Sequence, residues 1–459
     1  MSDKKQHNFG CHLIEKYNLY TSVDLNKICH ELADKGLVEP IVRLLGKKSK
    51  HSQAERVKLQ KALIEKLVTN EKNYKLCDTL CGKFDIPLET YPVLKGQKIK
   101  GCVRYFLGNY LRKKAEDKDH MTLSHVESLF DGFPECLVYL CEMLFSAGKY
   151  MEAKGIFNRH RLRADKFPTR EIGDELNSMK YDKSKDVTPA KDLFEPISTP
   201  SENYLRLPTS IKIEFIDKED QIPFLEDLKG QSFIGVDAEW WSPYWRQEDK
   251  GPAILQLGGK NEAFIIDIIK LSKNPKLDKM LTQLFTQKST IIAGFGFQSD
   301  LAMFRKHCPA MKFIESIPRF IDAQDFYKKV YPDFKDKGGS SLAAVCERVM
   351  EKKLCKKEQM SNWEKRPLRY SQEHYAAMDA WILVDIMSRL ADKGKSQKVT
   401  LNSQITPIGE KAEKKESGSK KADEDGKGKK EKGDEAAKKE AKSKADNEPN
   451  PKMIKHYEK

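Results

Sequence analysis

Apolar residues recur at helical spacing along the first third of the chain. Residues 52–67 and 98–115 each place apolar side chains three and four positions apart, which is the spacing of one face of an α-helix. Residues 135–162 show the same spacing on both sides of a short break, which predicts two consecutive helices. We therefore expect residues 1–170 to form an all-α domain.

The break between those two helices falls at Ala147-Gly148. The segment that starts there, AGKYMEAKGIF, resembles one helical hairpin of the tetratricopeptide kind. Because stacked repeats need about three units to be stable, one copy predicts only an irregular, helical-repeat-like module. Two functions stay open for this module: internal packing, or a surface that binds a protein or RNA partner.

The pattern changes twice more before the end of the chain. Residues 171–206 include TPAKDLFEPISTPSEN, which is rich in Pro, Ser and Thr and has no apolar period, so a linker is predicted. Residues 207–392 alternate short β-branched runs with helical stretches, which predicts an α/β domain with a mixed sheet flanked by helices. The predicted strands are residues 211–216, 233–239, 253–258, 263–268 and 290–296, and the predicted helices are residues 278–286, 299–308, 342–350 and 371–391.

The net charge of the chain indicates a polyanionic binding partner. The net charge is +14 and the pI about 9.0. A basic surface favours nucleic acid because phosphate contacts release counterions. Residues 393–459 consist largely of Lys, Glu, Ala and Gly and cannot bury a core, so we expect a disordered tail. Its lysine clusters leave a nuclear-import signal or a loose RNA contact open beside a merely solvated tail.

Composition also bears on the compartment. No apolar stretch approaches the ~20 residues that a membrane span needs, and the first residues lack the apolar run of a secretory signal. The ten cysteines show no paired C-x-x-C and no nearby His pair, so we expect thiols rather than a zinc site. These features predict a cytoplasmic protein that binds no membrane, with a nuclear location as the alternative that the tail offers.

The strand FIGVDAE ends in two acidic residues. Side chains alternate along a strand, so Asp237 and Glu239 point to the same face. Two adjacent carboxylates repel each other unless a cation lies between them, and hard dications take oxygen ligands. A D-x-E pair is common by chance, but an idle charge pair at the end of an apolar strand would be costly. The pair therefore indicates a metal site.

Two further acidic residues occur on predicted helices. Asp300 follows an apolar strand and a Gly-containing turn; taken alone, it reads best as a carboxylate favoured by a helix dipole. Asp379 lies among alanines, Met378 and Trp381 on a helix for which Ser371 is the expected N-cap. Tyr375 precedes Asp379 by four residues, about 40° apart around a helix, so both share a face.

These residues together resemble a known group of enzymes. D-x-E on a strand, Asp at a helix start and Y-x-x-x-D on a late helix are similar to the DEDD exonucleases that carry a catalytic tyrosine. The string SNWEKRPL followed by YAAMDA resembles ribonuclease D and Werner-type exonuclease domains over roughly residues 207–390. With a helical region before it, the chain looks most similar to the Nibbler and mutator exonucleases that trim small RNAs. Longer members of that group carry a further C-terminal domain, where this chain has its Lys/Glu-rich tail.

The resemblance implies an RNase H-like fold and two-metal hydrolysis with Mg²⁺ or Mn²⁺. It implies metal binding by Asp237, Glu239, Asp300 and Asp379, and a catalytic role for these four together with Tyr375. His374 lies five residues before Asp379, the spacing of a sister subclass with a catalytic histidine. On a regular helix it would lie about 140° from Asp379, so Tyr375 is favoured.

Aromatic and basic residues near the acidic set are candidates for nucleic-acid contacts. Trp240 follows the D-x-E strand, and an indole face stacks on single-stranded bases of any sequence. Trp363 and Arg366 belong to the family string and are weaker candidates, with structural support as the competing role. For each of the three, packing within the protein is the alternative to substrate contact.

The function that these observations predict is a 3′–5′ exoribonuclease acting on single-stranded small RNA. By resemblance, the helical domain would bind a protein of the small-RNA silencing machinery. A 3′–5′ exodeoxyribonuclease and a catalytically idle nucleic-acid scaffold are the alternatives. The intact carboxylates argue against the scaffold, whereas no residue identifies the 2′-OH contacts that separate RNA from DNA.

Overall fold

The described residues of the first part of the chain form helices and no strand, as their apolar spacing predicts. The computed structural model describes residues 3–47, 52–112, 121–185, 203–241, 251–332 and 341–409. The helices of the first part are α1 (Asp3–Lys16), α2 (Leu25–Asp34), α3 (Val38–Leu45), α4 (Gln53–Leu67), α5 (Tyr74–Phe84), α6 (Pro92–Leu111), α7 (Leu123–Leu129), α8 (Pro134–Ser146), α9 (Tyr150–Arg159) and α10 (Arg170–Ser178). We call residues 3–185 the helical part.

Two apolar clusters hold the helical part together. One is built by residues from Cys11 to Leu94, and the other by residues from Ile99 to Leu176. The predicted break between two helices is confirmed, because α8 ends at Ser146 and α9 begins at Tyr150 around Gly148, which has a φ of 73°. That left-handed conformation is one that glycine adopts without strain.

The second part is the mixed sheet with flanking helices that the alternating pattern predicts. Its strands are β1 (Lys212–Ile216), β2 (Phe233–Glu239), β3 (Ile254–Gly258), β4 (Glu262–Asp267), β5 (Ile291–Gly294) and β6 (Phe320–Asp322). Its helices are α11 (Ile268–Leu271), α12 (Pro275–Phe285), α13 (Gln298–His307), α14 (Ala323–Val330), α15 (Leu342–Met350) and α16 (Tyr370–Ser396). Every predicted strand and helix is present to within a few residues, and β6, α11 and α14 are additional short elements that the pattern does not predict.

The six strands lie in the order β1-β4-β3-β2-β5-β6. Strand β3 is antiparallel to both of its neighbours, whereas the other pairs are parallel, so β3 alone among these six runs in the opposite direction. One face of the sheet packs on a cluster that includes α12 and α13, and α16 crosses the other face. Strand β2 thus lies centrally, beneath α16.

Two predicted boundaries differ from the structure. Helix α10 lies almost wholly inside the segment 171–206 that reads as a linker, because Gly173 and Leu176 pack against the helical part. The predicted tail begins at residue 393, yet α16 continues to Ser396 and Ile408 is buried, exchanging backbone hydrogen bonds with Ile317. The described residues up to Gly409 form one compact unit. The prediction of disorder for residues 410–459 lies outside the described residues.

The remaining sequence-level expectations concern thiols and membranes. All ten cysteines are thiols rather than disulfides, and nine are buried, as small apolar core residues. Burial raises the pKa of Cys29 to about 12, which keeps this thiol protonated and inert. Among the helices that the structure describes, none is both long and apolar enough to cross a membrane.

Close packing of α16 on the sheet depends on two glycines. A Cβ built on Gly235 of β2 would overlap the carbonyl oxygen of Ala380, and one on Gly258 of β3 would lie 2.5 Å from the Trp381 nitrogen. Both contacts are with helix backbone, which cannot move aside as a side chain can. The absence of side chains at these two positions therefore brings α16 down onto β2 and β3.

Replacing Gly235 by alanine should consequently lower the free energy of unfolding by about 3 kcal/mol, the upper end of typical overpacking costs. Denaturant titration of both proteins measures the change. Gly101→Ala is the matched control, because Gly101 lies exposed on α6 and a Cβ added there would meet nothing within 4 Å. Equal midpoints for the two alanine variants would contradict this account of the helix–sheet contact.

Candidate active site

The central strand β2 positions the first two acidic side chains. Asp237 and Glu239 alternate with Val236 and Ala238, which belong to the apolar cluster on the opposite face of the sheet. Both acidic residues therefore share the face of Gly235, which is the face covered by α16. Strand β2 ends at Glu239, so the pair lies at the carboxyl end of a central strand.

Helix α16 brings the third carboxylate to this face. Its contact with Gly235 lies at Ala380, and Asp379 is the preceding residue, 2 % exposed. One carboxylate oxygen each of Asp237, Glu239 and Asp379 lies within 4.8 Å of the other two. The acidic residues that the sequence separates by 140 positions thus form one group.

Asp300 lies beside this group rather than within it. It occupies the first turn of α13, where it is 6 % exposed. Burial, followed by repulsion from Asp237, raises the pKa of Asp300 to about 8. The helix-dipole position that the sequence predicts is confirmed, and the same residue also faces the negative charge of Asp237.

Burial and mutual repulsion dominate the electrostatics of the acidic group. Burial first, and then Asp379, raises the pKa of Asp237 to about 7, although Lys356 opposes both effects. The pKa of Glu239 is raised well above its ordinary value, by burial and then by Asp237 and Asp379. Asp300 and Asp379 are buried and Asp237 and Glu239 are half-buried, and the Lys356 ammonium does not balance the negative charge of all four carboxylates. A hard divalent cation with oxygen ligands fits this donor set.

Lys356 is a site residue that the sequence reasoning missed. Its Nζ lies 3.1 Å from Asp379 Oδ2 and 3.2 Å from the hydroxyl oxygen of Tyr375. Burial alone would lower the pKa of Lys356, but Asp379 and Asp237 outweigh it and raise the pKa, so the ammonium keeps its charge. Lys356 stands among other lysines in the string KKLCKKEQ, and nothing in the spacing marks it.

Tyr375 and His374 differ in their contacts, and only Tyr375 is linked to the acidic group. Tyr375 is bridged to Asp379 by Lys356, and burial followed by the charges of Asp379 and Glu239 raises its pKa far above the ordinary value, so the phenol stays protonated. His374 instead accepts a hydrogen bond from the backbone N–H of Leu207, at 3.3 Å. Burial and then Arg206 lower the pKa of His374 to about 4, so it is a neutral acceptor.

The three residues predicted to contact nucleic acid differ in how accessible their side chains are. Trp240 is half-buried directly after β2, so part of its indole is available. Trp363 is 0 % exposed with its ring centroid 5.8 Å from that of Tyr375, and it can only support the tyrosine. Arg366 donates to the buried carboxylate of Asp267 at 2.7 Å and to backbone carbonyls. For Trp363 and Arg366 the structural role is therefore the better description, and the expected substrate contact is not supported.

Ser371 also differs from its expected role as a helix cap. Helix α16 begins one residue earlier, at Tyr370, and Arg369 occupies the N-cap position. The Ser371 hydroxyl donates to Glu358 Oε1 at 2.7 Å instead. This serine therefore ties the first turn of α16 to residues 355–369, the segment that carries Lys356.

A pH-dependent response to divalent cations follows from these pKa values. Ionising a carboxyl whose folded pKa is raised costs folded-state free energy, and that cost accumulates as pH rises from the unfolded value of ~4. The full cost of ionisation is reached only when the pH exceeds the folded-state pKa, which is about 7 for Asp237 and about 8 for Asp300. A bound cation removes the repulsion, so Mg²⁺ should raise the thermal midpoint more at about pH 8 than at about pH 6.

Differential scanning fluorimetry with and without Mg²⁺ at the two pH values measures this difference. Asp237→Asn is the matched control, because it keeps the side-chain shape and removes the central charge. In that variant the extra stabilisation at the higher pH should disappear. An equal or smaller Mg²⁺ effect at about pH 8 in the unmodified chain would contradict the assignment of these carboxylates to a cation site.

Comparison with known proteins places the acidic group within a matched region. Residues 213–395 match the family model of a 3'-5' exonuclease. The chain is 24% identical over 327 residues to an "Exonuclease mut-7 homolog" from Aedes aegypti, covering 68% of this chain and 45% of that protein. It is 22% identical over 355 residues to the Homo sapiens "Exonuclease mut-7 homolog", covering 72% of this chain and 38% of that protein. The chain therefore spans less than half the length of both relatives.

Among solved structures, one match is the "Crystal structure of Aedes aegypti Nibbler EXO domain". It is 26% identical, covers 44% of this chain and 96% of that chain, and has a TM-score of 0.39.

Proposed function

Because residues 213–395 match the family model of a 3′–5′ exonuclease and the chain is similar in sequence to the mut-7 homologues, we propose that the chain is a 3′–5′ exoribonuclease. It removes nucleoside 5′-monophosphates from the 3′ end of single-stranded RNA. The observation that carries the proposal is the group formed by Asp237, Glu239 and Asp379 within 4.8 Å of one another. The resemblance of the exonuclease region and the preceding helical region to the Nibbler and mutator exonucleases favours small RNAs, and their trimming, as the physiological role.

We propose that Mg²⁺ or Mn²⁺, as two ions, binds at these carboxylates. Asp237, Glu239 and Asp379 would hold the ions, with Asp237 shared between them and Asp300 contributing directly or through water. Cations bound by these carboxylates would supply the activation of a water and the stabilisation of the leaving 3′ oxygen. The protein supplies a fixed oxygen cage whose ligands come from rigid elements, β2 and α16, so the ligands need little rearrangement.

Tyr375 and Lys356 act on the reacting groups in this proposal. The raised pKa of Tyr375 keeps a donor hydroxyl at the edge of the acidic group, and that hydroxyl orients the attacking water. The Lys356 ammonium, 3.2 Å from the same hydroxyl, provides positive charge where negative charge develops on the phosphate. Trp240, half-buried after β2, stacks on the terminal base.

Substrate class is tested by comparing single-stranded RNA and DNA of one sequence, together with their duplexes. We expect the ratio kcat/KM for single-stranded RNA to exceed that for single-stranded DNA by about tenfold or more, corresponding to one or two 2′-OH contacts. Equal or higher values for DNA would replace the exoribonuclease by the exodeoxyribonuclease alternative. Tight RNA binding without cleavage in any metal would leave only a nucleic-acid scaffold.

Two further proposals concern the surroundings of the enzyme. The helical part offers a surface for a protein partner, which by resemblance belongs to small-RNA silencing. A cytoplasmic location is proposed from the sequence, with the lysine-rich tail as the source of a nuclear alternative.

A further inference from the structure

Residues 355–369, which we call the bridging segment, lie between the helical part and the acidic group. The segment contains neither a helix nor a strand, so its neighbours must hold it in place. On its inner side Lys356 binds Asp379 and Tyr375, and Trp363 packs against the Tyr375 ring. The position of the Lys356 ammonium thus depends on how this irregular segment is supported from outside.

The helical part supplies one of those supports through His125 of α7. Its Nε2 lies 3.8 Å from Glu358 Oε1, and the two side chains are only 5% and 4% exposed. Thr122, the N-cap of α7, fixes the ring from the other side, with its hydroxyl 2.7 Å from His125 Nδ1. A histidine of one part of the chain is therefore buried against a carboxylate two residues after Lys356.

Glu358 also forms hydrogen bonds with the start of α16. Its carboxylate accepts hydrogen bonds from Arg369 Nη2 at 2.5 Å, from the Ser371 hydroxyl at 2.7 Å and from the Ser361 hydroxyl. Burial alone would raise the pKa of Glu358, but Arg369, then His125, then the serine hydroxyls lower it below the ordinary value. The buried carboxylate is thus ionised and shared between the helical part, the bridging segment and the first turn of α16.

Further contacts on both sides of Glu358 join the helical part to the region around the acidic group. Lys365 of the bridging segment pairs with Asp131 in the loop between α7 and α8, and Met360 packs against the apolar cluster of the helical part. Phe133 of that loop lies with its ring centroid 4.6 Å from that of Trp241, two residues after Glu239. The α7–α8 region therefore contacts both the segment that carries Lys356 and the end of the strand that carries the carboxylates.

We propose that the helical part is a positioning element of the active site, which acts through His125 and Glu358 to hold Lys356 against Asp379 and Tyr375. This inference rests on the proposed nuclease function and assigns the helical part a role in turnover. His125 and Glu358 are positioning residues, since neither touches the acidic group itself. The coupling runs along a continuous chain of contacts, from α7 through the bridging segment to α16.

A double-mutant cycle in the full chain tests the proposal. The four proteins are the unmodified chain, His125→Ala, Lys356→Ala and the combination, assayed for 3′-end shortening of single-stranded RNA. We expect His125→Ala to lower kcat about tenfold in the unmodified chain, with KM for RNA within about twofold. In the Lys356→Ala background the same change should alter kcat by less than about twofold, because the group that it positions is gone.

An equal loss in both backgrounds would overturn the inference, because it would mean that His125 only stabilises the fold. An unmodified chain that is inactive on RNA and DNA would overturn the proposed function together with the inference. An active chain with equal losses overturns the inference alone. The two failures are therefore distinguishable within one experiment.

A second test substitutes residues that are not buried, since Asp131 is half-exposed and Lys365 is exposed. Asp131→Lys places a second cation beside Lys365 and should lower kcat about threefold, as expected for a surface pair turned repulsive. Adding Lys365→Asp restores the pair with reversed charges and should restore most of the loss. Asp165→Lys is the control, because Asp165 is an exposed residue of the helical part paired with Arg163. An unchanged kcat for Asp131→Lys, or no recovery on the reversal, contradicts the proposal.

Discussion

Replacing Asp237 by alanine should abolish hydrolysis, lowering kcat at least about 1000-fold, while leaving the fold intact. Asp237 is the central member of the acidic group: one of its carboxylate oxygens lies within 4.8 Å of those of Glu239 and Asp379, and its charge contributes to the raised pKa of Glu239 and Asp300. Its removal takes away the proposed shared ligand of both ions. Loss of a repelled carboxylate should not destabilise the protein in the absence of metal.

Turnover of end-labelled RNA and the thermal midpoint without metal are the two measurements. Asp385→Ala is the matched control, because it removes a carboxylate from α16 that forms a surface pair with Arg389. That control should keep nearly full activity. A folded Asp237→Ala protein with activity near that of the control would refute the assignment of the acidic group as the catalytic centre.

Tyr375→Phe should lower kcat about 100-fold, within the range typical of a residue that assists proton transfer or orients water. The substitution removes only the hydroxyl oxygen, which lies 3.2 Å from Lys356 Nζ, and keeps the ring that packs on Trp363. KM for RNA and the thermal midpoint should therefore change little. Steady-state kinetics over a range of RNA concentrations separates kcat from KM.

His374→Ala is the comparison that decides between the two catalytic subclasses. His374 accepts a hydrogen bond from Leu207 and is kept neutral, so its removal should loosen the contact between α16 and residues 205–207. We expect a lower thermal midpoint and a kcat within about threefold of the unmodified chain. The reverse outcome, with near-normal Tyr375→Phe and inactive His374→Ala, would transfer the catalytic role to the histidine.

Much of the fold follows from local pattern. The strand 233–239 is predicted to the residue, and the helix break at Ala147-Gly148 is found between α8 and α9. Both signals are local, since an apolar run and a glycine with positive φ act within a few residues. The shared face of Asp237 and Glu239 follows equally from strand alternation.

What local pattern does not contain is the long-range geometry. The role of Gly235 depends on α16, whose contact residue Ala380 lies 145 positions later in the chain. Lys356 lies in an irregular segment, where no periodicity indicates the direction of a side chain. Strand β6 has only three residues, too few for an alternation to stand out.

The two domain boundaries that differ from the prediction also depend on long-range contacts. Helix α10 has only nine residues, most of them polar, and it is stabilised by the packing of Gly173 and Leu176 against the helical part. Ile408 follows a stretch that reads as the start of a charged tail, but it is buried through pairing with Ile317. Trp363 and Arg366 are recognisable as members of the family string, yet only the structure shows that both are engaged within the protein.

The central claim is that this protein hydrolyses single-stranded RNA from its 3′ end, with divalent cations bound by four carboxylates. The most direct measurement uses 5′-labelled single-stranded RNA with Mg²⁺, Mn²⁺ or excess EDTA, comparing the unmodified chain with Asp237→Ala. A ladder that shortens one nucleotide at a time from the 3′ end, present with metal and absent with EDTA or the variant, is the predicted result. Internal cuts, metal-independent cleavage, or the same ladder from Asp237→Ala would contradict it.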